Sequence, residues 1–361
     1  MKQRKIIILG AGASIGSKRY PIQSSWRQVR TRMPSAENFF YDLFKTNRTE
    51  ERPAGFVNWM GVTYESLNDF IVRYWNISSD KLYDPSDWKG VNIEEVMTFF
   101  EIGEKMSLNG TNEHYSYKKA REHLLDFMYP FIPMICWDQH CEYLLKVISR
   151  LDNKDSIISY NWDTIVDFSL SHLNNPILKN YAKLLRDERI EPEKYRHTGL
   201  LLKLHGSFNW MVCQNKSCSS FNKIQPPFIR KTYRLSKLRE QWNCKYCGGG
   251  KLKPQIIPPV SNKMIHKDSF FKSQWLIVKE KLLDATELVF IGYSFPPTDY
   301  YSEWLFRQLN FIENPKKSII TVVNPEYSNH SSLVYKRYNS LFKGHDIRSF
   351  KSLKEYSKMT E

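Results

Sequence analysis

The sequence predicts an α/β protein built on a doubly wound, Rossmann-like parallel sheet, interrupted by a helical insertion and carrying a small zinc-ribbon module. Three observations predict it. Short apolar runs recur along the chain, most of them ending in Gly or a polar residue. Helical patterns separate them, and the first run opens directly into a Gly-x-Gly turn. Strands alternating with helices are the pattern of a parallel sheet covered by its own crossovers.

The first run, Lys5 to Leu9, leads into Gly10-Ala11-Gly12-Ala13-Ser14-Ile15-Gly16, the form of a strand, a tight turn and a helix start. Basic Met1 to Lys5, apolar Ile6 to Leu9 and small Ala11 and Ala13 imitate an export signal, but four hydrophobes are too few for its apolar core. Later strands are expected at 156–160, 200–204, 287–291 and 318–323. Between the first two lie roughly 140 residues without a strand pattern, too many for an ordinary connection. Asn92 with Glu95 reads as a capping box, and Ile93, Val96, Met97 and Phe100 follow at helical spacing. Cys136 to Leu151 repeats that spacing through Trp137, Cys141, Leu144 and Ile148. The expected organisation is a core of 1–29 and 155–361, an insertion of 30–154 and a zinc module at 208–253. The segment 174–198 is expected to be a helix and loop joining two core strands.

Composition narrows the class. With 361 residues, 41% hydrophobic and 14% aromatic, the chain has ample bulk for a core and is not a disordered polymer. No stretch approaches the roughly 18 apolar residues of a membrane span. Lys and Arg exceed Asp and Glu by 53 to 38, a net charge of +15 that favours anionic partners. Cysteines paired at ligand spacing, not in a disulfide framework, point to the cytoplasm.

Gly10 and Gly12 admit two readings: a backbone cradle for a diphosphate, or a tight strand-to-helix turn. Gly16 falls one residue late for the full fingerprint. Cys213 and Cys218, then Cys244 and Cys247, form two close pairs separated by 25 residues, suited to a closed tetrahedral zinc site. Lys216, Lys223, Arg230, Lys231, Arg234, Lys237 and Arg239 lie within that module and leave nucleic-acid contact open. Asn161, Asp163 and His205 each follow an expected strand end, where ligands of open parallel sheets bind, and they combine an amide, a carboxylate and an imidazole.

The order of these motifs resembles the sirtuin family: Gly10 to Ser14, Asn161-x-Asp163, His205-Gly206-Ser207, the two cysteine pairs, Gly292-Tyr293-Ser294, and Val323-Asn324-Pro325-Glu326. The resemblance covers 5–14 and 155–326 and implies a sirtuin-type core that uses NAD+. Gly10, Ala11, Gly12 and Ser14 would hold the pyrophosphate and nearby ribose, Gly292 and Ser294 a phosphate edge, and Asn324 the adenosine ribose. Asn161 and Asp163 would line the nicotinamide-ribose pocket, and His205 would be the general base. Zinc would be structural.

Two departures turn the expectation away from protein deacylation. The Gly-Ile-Pro-Asp-Phe-Arg loop of deacylases is absent, Lys18 to Arg27 standing in its place. Lys253-Pro254-Gln255-Ile256-Ile257-Pro258-Pro259 occupies the stretch that pairs with substrate peptide, where prolines remove N–H donors. The chain is most similar to the NAD+-hydrolysing sirtuin-like effectors of bacterial anti-phage defence. That implies cleavage of NAD+ to nicotinamide and ADP-ribose, switched on by homo-oligomerisation or by a separate sensor or activator protein. The alternatives are an NAD+-dependent deacylase or ADP-ribosyltransferase, and a non-catalytic module that senses NAD+ or ADP-ribose and binds nucleic acid.

Overall fold

The structure is a computed structural model that describes residues 4–15, 18–19, 34–41, 65–77, 85–136, 139–225, 243–249, 251–258, 265, 268–311 and 318–359. Its main strands are β1 (Lys5–Leu9), β2 (Ser156–Ser159), β3 (Leu201–Lys203), β4 (Gly206–Cys213), β5 (Ile224–Gln225), β6 (Leu252–Ile256), β7 (Glu287–Ile291), β8 (Ile319–Val323) and β9 (Ile347–Phe350).

Six of these strands form one parallel sheet in the order β9-β8-β7-β1-β2-β3. Numbered within the sheet, the order is 3-2-1-4-5-6 read from the β3 edge, which reverses direction between β1 and β7. Right-handed crossovers then send the helices of the two halves to opposite faces. The central strands are apolar on both sides because both sides are covered: Ile7, Ile8, Ile157, Ile158, Val289 and Phe290 have no exposed surface. The expected strands recur within a residue of their limits. β9 was not expected, because Ile347-Arg348-Ser349-Phe350 is an edge strand with exposed Arg348 and Ser349 and has no continuous apolar run.

The chain divides into two compact units, 1–18, 137–257 and 264–361 against 19–136 and 258–263, where 30–154 had been expected for the insertion. The lower limit falls at 19 and 258–263 joins the inserted unit, while the upper limit differs across Cys136 to Leu151. A single helix was expected there, but one helix ends at Cys136 and another begins at Glu142, separated by extended backbone at Cys141. The second helix, Glu142–Ile148, buries Leu144 and Ile148 and packs beside helices Ile165–His172 and Leu353–Met359 of the sheet unit. Trp137 lies outside the described residues.

Within the inserted unit, Asn92 caps helix Ile93–Met106 by accepting from Glu94 N at 2.8 Å, and Ile93, Val96, Met97 and Phe100 are all buried. Phe70, Phe99, Phe100 and Tyr117 interlock edge to face. The segment 174–198 forms helix Ile177–Leu184 and a 3-10 turn, Pro192–Tyr195. The remaining strands make a small antiparallel sheet, β5-β4-β6, within the first unit. Among the described residues, no helix is long and apolar enough to cross a membrane.

Candidate functional site

Register alone brings the expected residues to one edge. Val323, Ile291, Leu9, Ser159 and Lys203 form a single row across β8, β7, β1, β2 and β3. One residue past that row stand Asn324, Gly292 and Gly10; two past stand Asn161 and His205. Adjacent strands are about 4.8 Å apart, so the amide and the imidazole emerge side by side at the carboxyl edge, next to the β1/β7 reversal.

At the reversal the two glycine turns pack backbone to backbone. Gly10 N donates to Ile291 O and Gly12 N to Gly292 O, each at 3.0 Å. A Cβ on Gly10 would stand 2.6 Å from Gly292 O, and one on Gly292 would stand 2.4 Å from Ala13 N. Gly292 also has φ +60°. Close approach therefore accounts for these glycines, and the N–H groups of Gly10 and Gly12 are already engaged. Ala11 and Gly12 are exposed on the short helix Ala11–Ile15, and Gly16 lies outside the described residues. Gly292→Ala is expected to cost at least about 2 kcal/mol in a urea titration, since strained backbone and a clash add. An unchanged midpoint would mean that the turns separate freely.

Ser14 links this turn to β2. Its hydroxyl donates to Asp163 Oδ2 at 2.6 Å and accepts from Asn161 Nδ2 at 3.0 Å, while Asn161 Nδ2 also donates to Gly10 O at 2.8 Å. Asp163 Oδ1 accepts from Ile165 N. Both Asp163 oxygens are thus occupied in a buried position. Desolvation pushes its carboxyl up, opposed by Lys203, Ser14 and the Ile165 N–H. Asp163 orients Ser14 and, through it, Asn161. With both amide hydrogens of Asn161 engaged, its Oδ1 is left as an acceptor with no partner among the described residues.

Beneath these loops lies a buried ion pair that the sequence reading did not single out. Lys203 Nζ meets Asp167 Oδ2 at 3.1 Å, both side chains having no exposed surface. It also donates to Asp163 O and Ser207 Oγ. Asp167 Oδ1 accepts from Asn209 Nδ2 and Tyr181 OH, and Tyr181 OH accepts from Trp210 Nε1. Lys203 thereby ties the loop after β2 to the start of β4.

His205 Nε2 lies 2.9 Å from Asp299 Oδ1, close but poorly aligned for a hydrogen bond. Asp299 Oδ2 accepts from Tyr293 OH at 2.8 Å. Tyr160 stacks on Tyr293 with centroids 4.3 Å apart and meets His205 edge to face. Asp299 was missing from the expected set. The available signal was a carboxylate shortly after the β7 end, in Gly292-Tyr293-Ser294-Phe295-Pro296-Pro297-Thr298-Asp299, but only tertiary contact pairs it with His205. Ser294 is half-buried in the same loop. Asn324 caps a 3-10 turn by accepting from Glu326 N at 2.9 Å, so its Oδ1 already serves the backbone.

Cys213, at the end of β4, meets Cys218, Cys244 and Cys247. Sulfurs at the corners of a tetrahedron 2.3 Å from a zinc ion are about 3.8 Å apart. Here Cys213 to Cys247 is 3.8 Å and Cys218 to Cys244 is 3.7 Å, with all four sulfurs within 4.8 Å of one another and none in a disulfide. Desolvation pushes the Cys244 thiol up, but donors from Ser220, Gln225, Tyr246 N and Cys247 N outweigh it and hold it down at about 5. Four thiols with N–H donors fit a structural zinc ion and leave no open coordination position. Of the basic residues in the module, Lys216 is exposed and Lys223 pairs with Glu188 at 2.7 Å. Arg230, Lys231, Arg234, Lys237 and Arg239 lie outside the described residues, as do Tyr20 to Arg27. Pro254 sits in β6, an edge strand of the small sheet.

No family model matches the chain, and no curated protein matches it.

Proposed function

We propose that the chain is a sirtuin-like NAD+ glycohydrolase that produces nicotinamide and ADP-ribose. The supporting observation is the placement of Asn161 and His205, two residues beyond one row of the parallel sheet and beside its strand-order reversal. Both offer acceptors: Asn161 Oδ1, and His205 Nδ1, which has no partner among the described residues. Ala11, Ser14 and Ser294 border the same edge and would face the pyrophosphate and ribose.

In this reading the glycosidic C–N bond breaks and its electron pair passes to the nicotinamide nitrogen, neutralising the ring. Positive charge develops at ribose C1′. Asn161 Oδ1 orients a ribose hydroxyl or the attacking water, water oxygen bonds to C1′, and His205 takes the water proton. The four cysteines would hold zinc as a staple with no part in these steps. An enzyme that depletes NAD+ needs control, so the proposal includes activation by self-assembly or by a separate sensor protein, in the cytoplasmic setting of anti-phage defence.

The test is NAD+ turnover by the full chain, alone and co-expressed with its genomic neighbours, with products resolved. His205→Ala and Asn161→Ala are each expected to lower kcat by about 100-fold or more. Acyl-ADP-ribose formed from an acylated peptide would replace this reading with a deacylase. Failure to bind or turn over NAD+ in every setting would end it.

A further inference from the structure

We infer that Asp299 is the positioning residue of this site, holding His205 as the Nε2–H tautomer so that Nδ1 is left as the base, with Tyr293 fixing Asp299 in turn. The inference rests on the proposed hydrolysis for the reaction it serves, but the tautomer is a property of the folded chain alone.

A neutral imidazole carries its proton on one nitrogen, and a lone pair 2.9 Å from a carboxylate oxygen would be repelled. Nε2 therefore carries the proton. The pair is secluded, with the His205 side chain 9% exposed and that of Asp299 2%. Both Asp299 oxygens are directed inward, Oδ1 to His205 and Oδ2 to Tyr293 OH. Oδ1 thus places Asp299 to act on His205. When Nδ1 accepts the proton of the attacking water, as water oxygen bonds to C1′ and nicotinamide leaves with the C–N pair, the carboxylate beside Nε2 balances the new charge in a buried site.

The surrounding chain is built to deliver that carboxylate. Phe295 has φ +51°, a strained backbone for a non-glycine residue. The strain is held by Arg337 Nη1 donating to Phe295 O at 2.6 Å, by Tyr338 OH donating to Tyr293 O at 2.8 Å, and by ring contacts with Phe290, Phe306 and Tyr338. Pro296 O accepts from Asp299 N at 2.8 Å, closing the turn from which helix Tyr300–Arg307 starts. On the other side, Ile257 N donates to His205 O at 2.8 Å. Both partners are thus anchored by their backbones, which keeps the carboxylate beside the imidazole.

The experiment combines imidazole 15N NMR of full-length protein, with His205 assigned by His205→Ala, and steady-state kinetics of Asp299→Asn. The wild type is expected to show Nε2 protonated and Nδ1 as the bare nitrogen. An amide offers one acceptor where His205 and Tyr293 both need one, so Asp299→Asn is expected to move protonation toward Nδ1. It should also lower kcat by about 100-fold with KM within about threefold. Tyr293→Phe keeps the carboxylate and is expected to retain the tautomer, with kcat down about tenfold. Zinc content and the urea midpoint serve as fold controls. If Asp299→Asn does not fold, the wild-type tautomer and Tyr293→Phe decide. Protonation at Nδ1 in the wild type, or an Asp299→Asn variant with unchanged tautomer and kcat, overturns the inference. Absence of NAD+ turnover with the expected tautomers would overturn the reaction and leave Asp299 positioning His205.

Discussion

Lys203→Met is expected to destabilise the protein by about 3–5 kcal/mol, the range for removing one partner of a buried pair. Methionine fills much of the lysine volume, so the loss arises chiefly from charge. The buried Asp167 carboxyl would lose its ammonium and keep Tyr181 OH and Asn209 Nδ2 as donors. A urea titration should show a lower midpoint at unchanged m. The double variant Lys203→Met/Asp167→Asn should recover part of the loss, because the uncompensated charge is gone. A single variant within about 1 kcal/mol of wild type would show that the pair contributes little. NAD+ turnover should fall even at temperatures where the variant is folded, since Lys203 Nζ holds Asp163 O and Ser207 Oγ, which flank the loops bearing Asn161 and His205.

Cys244→Ser is expected to abolish zinc retention and to loosen the whole small sheet. At its far end the sheet is thin: β5 is two residues long, and among the described residues the thiols cluster with Met211 and Leu252. Metal binding to such a module is largely its folding energy. β4 ends at Cys213 and bulges between Ser207 and Met211, so its length from Gly206 to Cys213 lies against only Leu252 to Ile256 of β6, about 13 Å at 3.3 Å per residue. Zinc at that distance cannot touch the reacting atoms. A zinc ion there would act by keeping β4 paired with β6, whose continuation Ile257 holds His205 O. Metal analysis should show zinc in the wild type and none in the variant. Hydrogen exchange should rise across 206–213 and 251–257 but not across β1, β7 and β8, and NAD+ turnover should drop. Unaltered exchange in a zinc-free variant would remove the metal from any structural role.

These two expectations differ in how far the sequence anticipates them. The cysteine pairs are legible because a tetrahedral thiolate site calls for short local spacings, which survive as text. The buried lysine is not. Nothing in the run 200–204 singles Lys203 out, and only Asp167, Asp163 and Ser207 around its ammonium explain its burial. The glycines were legible as a turn, but their cause was not: Gly10 and Gly12 face Gly292, a partner on a distant strand, and that contact occupies the N–H groups which a pyrophosphate reading would have used. The helix break at Cys141 was also hidden, because apolar spacing on either side of it is continuous.

By itself the sequence determined the strands of a parallel α/β core, the capped helix beginning at Ile93, the four thiols, and the strand-end positions of Asn161, Asp163 and His205. Each is written in local periodicity or short spacing, over which backbone geometry is nearly invariant. Tertiary structure decided the strand order and its reversal, the edge strand β9, the unit boundary at 136, and the meeting of His205 with Asp299. Those depend on register between segments far apart in the chain, and a pairing that is set by which buried faces fit together leaves no local pattern to read.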